Sequence, residues 1–328
     1  MVQGIDVGAV EVAVSRAALP GDGPQRLAGR VGVRTWPRST PPTASELAEL
    51  ARGCAGLVAL GTDRIDAALL DACPTVRVVG LASMGYDAVD LDAARERSVV
   101  VSHTPRILQE TTADIAFLLI LAARRRAWGA ERALRAGEWT HFEMTAFLGL
   151  DVHGARLGIA GYGQIGRAVA RRAAGFGMDV VHYDPFAQDD DEQSRFLPLD
   201  ELLATADIVS VHLPLQADTR GFFGAERFAA MKRTATFVNT SRGGVVDQQA
   251  LVQALRDGTI HSAGIDVLAS EPLADPSDPV LGLDNLVVFP HIGSATEATR
   301  AAMVDLAVDN VLDVLDGRSA RTPIPELA

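Results

Sequence analysis

The sequence predicts an α/β protein with two doubly wound parallel sheets. Two observations predict it: short β-rich runs alternate with helical patterns over the first hundred residues, and a second such series of six strands begins at Ala155. A third is length, since 328 residues are too many for most single cores and suit two domains.

In the first series, residues 10–14, 31–35, 57–60, 76–80 and 98–101 read as strands. Residues 45–52, 66–72 and 90–97 between them carry helical spacing behind polar starts, and 37–43 is a Pro/Ser/Thr-rich surface loop. An apolar helix follows Thr111-Thr112-Ala113-Asp114 and runs to Ala123; its near-continuous hydrophobicity predicts burial. The second series places strands at 157–160, 180–183, 208–212, 236–239, 262–266 and 287–289. A long helical pattern over 296–316 closes the chain and is expected to return to the first domain. The expected division is therefore residues 1–107 with 293–328, and residues 108–292.

Composition narrows the function. With 48% hydrophobic and 22% charged residues the chain has a folding composition, and its net charge of -12 argues against binding nucleic acid or anionic membrane surfaces. The N-terminus has no signal-peptide pattern, and the longest apolar run, 115–123, is too short to span a bilayer. Cys54 and Cys73 lack metal-ligand spacing and read as small buried apolar residues, so no metal site is expected and the location expected is cytoplasmic.

Gly161-Tyr162-Gly163-Gln164-Ile165-Gly166 matches G-x-G-x-x-G between a predicted strand and a predicted helix. In that context Gly161 permits the tight turn, Gly163 lets the backbone approach a pyrophosphate, and Gly166 allows close helix–strand packing. The next strand ends at Asp184, whose carboxylate suits ribose hydroxyls and repels a 2′-phosphate. No Arg or Lys lies between Val180 and Gln193. These residues define a Rossmann-like dinucleotide domain that prefers NADH over NADPH.

Three polar clusters fall at C-terminal strand ends, where open α/β sheets place ligands. They are Asn239–Gly244 with Arg242, Asp266 to Glu271-Pro272, and Pro290–Ser294 with His291. Neighbouring strands would bring Glu271 to His291. The carboxylate would orient the imidazole and leave its other nitrogen to exchange a proton with a substrate oxygen. By spacing alone, Arg242 is equally a surface ion-pair partner and His291 a structural histidine; the other six histidines, His212 included, read as structural.

Together these residues resemble the D-isomer-specific 2-hydroxyacid dehydrogenase family. The likeness covers nearly the whole chain through Ser83-Met84-Gly85-Tyr86-Asp87, Thr111–Asp114, the glycine loop, Val211-His212-Leu213-Pro214-Leu215, Asn239–Gly244, Gly264-Ile265-Asp266-Val267, Glu271-Pro272 and Pro290–Ser294. Within the family it is most similar to glyoxylate/hydroxypyruvate reductases. It departs from many of them at Asp184, where Arg and NADPH preference are common, and at Gln164, where Arg is common.

The resemblance implies an interdomain active-site cleft and a catalytic set of Arg242, Glu271 and His291. It implies that the Ser83, Met84 and Gly85 amides hold the substrate carboxylate, with Arg242 and His291 also touching substrate. Around the cofactor it implies contacts from Gly161, Gly163, Gln164, Ile165, Gly166 and Asp184, with Leu213 and Pro214 on the adenine side. Asp266 would bond the nicotinamide carboxamide, with Thr219, Thr240 and Gly293 as further contacts. It implies a small 2-keto or 2-hydroxy acid substrate and a homodimer formed through the dinucleotide domain, with 115–123 and 139–148 at the interface. Two other readings keep the same residues: an NAD(H)-sensing corepressor on this scaffold, and a phosphite-type dehydrogenase.

Overall fold

The structure is a computed structural model that describes residues 10–327. The chain divides into two compact units, Met1–Leu108 with Ala295–Ala328, and Gln109–Ser294.

The described part of the first unit holds a parallel sheet of β1 (Glu11–Val14), β2 (Gly32–Thr35), β3 (Gly56–Ala59), β4 (Val78–Leu81) and β5 (Val100–Ser102), in the order β2-β1-β3-β4-β5. Local chemistry starts its helices. The Asp66 and Asp90 side chains accept the Leu69 and Ala93 amides, and Thr43 forms a capping box with Glu46. Successive strand residues face opposite layers: Ala13, Leu57, Ala59 and Val79 enter one apolar cluster, and Val12, Val14, Val58 and Val78 the other. The second cluster is closed by Val304, Ala307, Val308 and Val311 of the helix Glu297–Leu315, capped by Thr296. A helix at Gly23–Ala28, not expected from the sequence, packs beside it.

The second unit holds β6 (Arg156–Ala160), β7 (Asp179–Tyr183), β8 (Arg195–Phe196), β9 (Ile208–Val211), β10 (Thr236–Asn239), β11 (Ser262–Ile265) and β12 (Leu286–Val288), all parallel, in the order β12-β11-β10-β9-β6-β7-β8. The sheet thus has seven strands, not the six expected. The added one is two residues long, too short for its alternation to register in the sequence. Order reverses between β6 and β9, the position at which such sheets take ligands beyond their C-terminal ends.

Helix Gln109–Arg124 buries Ala113, Ala116, Phe117, Leu119 and Ile120 against its own unit's sheet. At its end Arg124 is 6% exposed and donates to the carbonyls of Asp151, Asp207 and Thr234. Residues 137–150 form turns and irregular chain in which Trp139, Phe142, Met144 and Leu148 are exposed. No helix among the described residues is long and apolar enough to cross a membrane.

Candidate active site

The glycine loop joins β6 to helix Gln164–Ala174. Gly161 has φ +97°, and a Cβ there would lie 2.7 Å from the His212 carbonyl carbon; a Cβ on Gly166 would lie 2.3 Å from the Gly161 oxygen. Protein packing alone therefore requires both to be glycine. Gly163 is different: it is exposed, has an ordinary φ of -77°, and a Cβ would meet nothing within 4 Å. No side chain caps this helix. Its first-turn amides and the open space over Gly163 fit a pyrophosphate at the positive end of the helix.

At the end of β7, the half-buried Asp184 carboxylate accepts the Tyr162 amide at 2.7 Å and the Phe186 amide at 2.8 Å. These bonds fix the carboxylate beside the loop. On the β9 side of the loop, beside Gly161, Leu213 is buried and Pro214 exposed. The Thr219 hydroxyl donates to the Pro214 carbonyl and accepts the Gln216 amide, closing that turn. Burial pushes the His212 pKa down to about 3, and its neutral ring contacts the Ser210 hydroxyl at 2.8 Å and the Thr240 hydroxyl at 3.4 Å.

Adjacent strands assemble the polar clusters. Gly243 follows β10 and passes so close to Leu268 after β11 that a Cβ would lie 1.8 Å from the Leu268 oxygen. Glu271 Oε1 accepts the Leu268 amide at 2.8 Å, and Oε2 lies 2.6 Å from His291 Nδ1. His291 Nε2 has no hydrogen-bond partner among the described residues. Burial of Glu271 favours its neutral form. The bonds from His291 and the Leu268 amide, with the charges of His291 and Arg242, outweigh it and hold the carboxyl below its usual range. The Arg242 Nη1 donates to the Ser241 carbonyl at 2.9 Å.

His291 has φ +55°, an uncommon conformation for a residue with a side chain. Asp266 holds it there: its carbonyl accepts the His291 amide, and its two carboxylate oxygens accept the Ile292 and Gly293 amides at 2.8 and 2.7 Å. Burial raises the Asp266 pKa despite those two bonds. The Gly293 position is also close-packed, since a Cβ would lie 3.1 Å from Asp266.

In the first unit, Ser83, Met84 and Gly85 follow β4 directly. Their amides donate to no acceptor among the described residues. The Ser83 carbonyl accepts the Thr104 amide at 2.8 Å, and His103 Nδ1 lies 2.9 Å from the Met84 carbonyl. This turn is held by its carbonyls while its amides are left to bind other groups, an arrangement suited to an anion. No sequence pattern singles out Tyr162, whose amide bonds Asp184, or Arg167 and Asp191, which contact the Tyr162 side chain, and none shows that His103 reaches the Met84 carbonyl. None of these has a repeating pattern that marks its partner.

Similarity to known proteins agrees with this geometry. Residues 117–293 match the family model for the NAD-binding domain of D-isomer-specific 2-hydroxyacid dehydrogenases. A glyoxylate reductase of Korarchaeum cryptofilum is 43% identical over 298 residues, 90% of each chain. Glyoxylate/hydroxypyruvate reductase B of Salmonella typhimurium is 43% identical over 304 residues, 92% of this chain and 93% of that one. An NADPH-dependent glyoxylate/hydroxypyruvate reductase of Sinorhizobium meliloti, solved with NADP and malonate, superposes with a TM-score of 0.86 at 30% identity, covering 98% of both chains. The chain belongs to the D-isomer-specific 2-hydroxyacid dehydrogenase family, a class of oxidoreductases.

Proposed function

We propose that the protein reduces a small 2-keto acid, glyoxylate or hydroxypyruvate, with NADH, yielding the D-hydroxy acid where the product is chiral. The observation that carries this reading is the 2.6 Å contact of His291 Nδ1 with Glu271, which leaves Nε2 for a substrate oxygen. The names of the relatives support the substrate class.

Bound NADH supplies hydride to the carbonyl carbon. His291 Nε2 donates the proton to the carbonyl oxygen, and Glu271 keeps the remaining proton on Nδ1, fixing the tautomer. Arg242 binds and polarises the substrate with its planar fork. The Ser83, Met84 and Gly85 amides take the substrate carboxylate. Gly161, Gly163, Gln164, Ile165 and Gly166 receive the pyrophosphate, with Leu213, Pro214, Thr219 and Thr240 lining the remainder of the cofactor. Asp266 reaches the nicotinamide side while ordering the loop that carries His291 and Gly293.

NADH is preferred because Asp184 stands where the ribose hydroxyls arrive, against the NADPH dependence of the Sinorhizobium meliloti relative. In this reading residues 108–292 carry the cofactor, and residues 1–107 with 293–328 carry the substrate carboxylate. The exposed Leu118, Trp128, Trp139, Phe142, Met144 and Leu148 of the second unit support a homodimer through that unit. Initial rates with NADH and NADPH against glyoxylate, hydroxypyruvate, pyruvate and phenylpyruvate test the reading. A higher kcat/KM with NADPH, or no saturable turnover of either glyoxylate or hydroxypyruvate, would refute it.

A further inference from the structure

Tyr162 lies between the first two glycines of the loop and is 1% exposed. Its amide donates to Asp184, so its side chain begins at the group that meets the adenosine ribose in the reading above. The ring stacks on His182 at 3.9 Å between centroids, and the Arg167 guanidinium carbon lies 4.4 Å over the same ring. Two groups at those heights cannot share one face, so the phenol lies between imidazole and guanidinium.

The loop after Asp184 closes around this stack. His182 Nε2 donates to the Ala187 carbonyl at 3.0 Å, and Nδ1 meets the Ser194 hydroxyl at 2.9 Å. The Tyr162 hydroxyl lies 3.0 Å from each oxygen of Asp191; burial and that acceptor push its pKa up to about 12, so it remains a donor. Asp191 Oδ1 also accepts the Gln193 and Ser194 amides at 2.9 and 3.0 Å. Asp191 Oδ2 takes Arg167 Nη1 at 2.6 Å.

The Arg167 guanidinium stacks on the ring of the residue whose own amide holds Asp184, and a guanidinium released from that ring toward Asp184 is a ready partner for a 2′-phosphate. Here it is folded back over a buried ring and paired with a carboxylate. We propose that Asp191 is a specificity-determining positioning residue that withholds Arg167 from a 2′-phosphate and so reinforces the discrimination made by Asp184. This rests on the NADH reading above. A loop held together for stability alone would need the Tyr162, Gln193 and Ser194 bonds but not the ion pair.

The substitution D191N separates the two roles. The amide oxygen still accepts the Gln193 and Ser194 amides, while the new NH2 cannot accept from Arg167. Because both partners are partly exposed, at 45% and 33%, the effect is modest. The KM for NADPH is expected to fall about three- to tenfold, the effect of one unmasked charge in a largely aqueous dielectric, and the gain to shrink with added salt. The KM and kcat with NADH stay within about twofold. The gain disappears in D191N/R167A. R167A alone leaves the NADPH KM within about twofold of the parent, because Arg167 is already withheld.

A folded D191N with an unchanged NADPH KM, or a gain that survives R167A, overturns the proposal. So does a weakened NADPH KM in R167A alone, which also decides the matter if D191N does not fold. The parent's own NADH to NADPH ratio is a separate readout. A preference for NADPH in the parent defeats the NADH reading, whereas the variants still report on Asp191.

Discussion

Replacing Gly163 with valine is expected to weaken cofactor binding by orders of magnitude while leaving the second unit folded. A Cβ at Gly163 meets no protein atom within 4 Å, and its backbone, at φ -77° and ψ -154°, is open to any residue. The cost to the fold is the loss of a good N-cap, about 0.5–1 kcal/mol, or about 2–4 °C in Tm at most for a unit of this size. Gly161→Ala places a Cβ at φ +97°, 2.7–2.8 Å from the His212 and Leu213 backbone. Strain and overpacking there sum to about 3 kcal/mol or more, and about 6–12 °C in Tm. For the ligand the order reverses. Valine at 163 displaces a pyrophosphate from the first-turn amides, and losing two charge-assisted bonds at about 1.5–3 kcal/mol each weakens binding about 10²- to 10⁴-fold. NADH fluorescence titration and thermal melting of both variants read the two effects. Gly163→Val binding NADH within about threefold of the parent, or melting as low as Gly161→Ala, would refute the reasoning.

His291→Ala is expected to lower kcat about 10²- to 10⁴-fold with NADH affinity nearly unchanged; normal turnover in stopped-flow assays would remove His291 from catalysis. Glu271→Gln can satisfy either the Leu268 amide or His291 Nδ1 with its single oxygen but not both, so kcat should fall at least about tenfold without loss of NADH binding. The folded Glu271 carboxyl titrates below its ordinary 4.5. Its contribution to stability is thus present above about pH 4.5 and lost as pH falls through the lower folded value. Denaturation of parent and Glu271→Gln from pH 5.5 to 3 should show a gap that closes as pH falls below about 4.5, and a gap that widens below that pH would contradict the assignment. Arg124→Met strips a buried set of carbonyls of its donor and should cost about 3–5 kcal/mol in chemical denaturation with kcat intact; a change under about 1 kcal/mol would show that the carbonyls find other partners.

Much of this protein is set by patterns that are local in the chain. Alternation over a few residues marks the strands because both faces of each sheet are covered, so Ile208 and Val209 must each face an apolar layer. Asp66, Asp90 and Thr296 start helices because each side chain reaches an amide three residues on. The glycine loop and Asp184 were legible for the same reason, as was the family, whose motifs sit in order along the chain. Tertiary structure alone decided the rest. β8 and the helix Gly23–Ala28 are too short to show a period, and neighbours hold them in place. The pairing of Glu271 with His291 depends on β11 and β12 lying side by side, which brings loops twenty residues apart into contact. Asp266 was expected at the cofactor, yet both its oxygens also order the chain at Ile292 and Gly293. Arg167 has no sequence signal of its own, and its value depends on Asp191, 24 residues away in a loop without periodicity. A side chain's partner is chosen by the path of the folded backbone, and a repeat in the sequence records only the face on which that side chain lies.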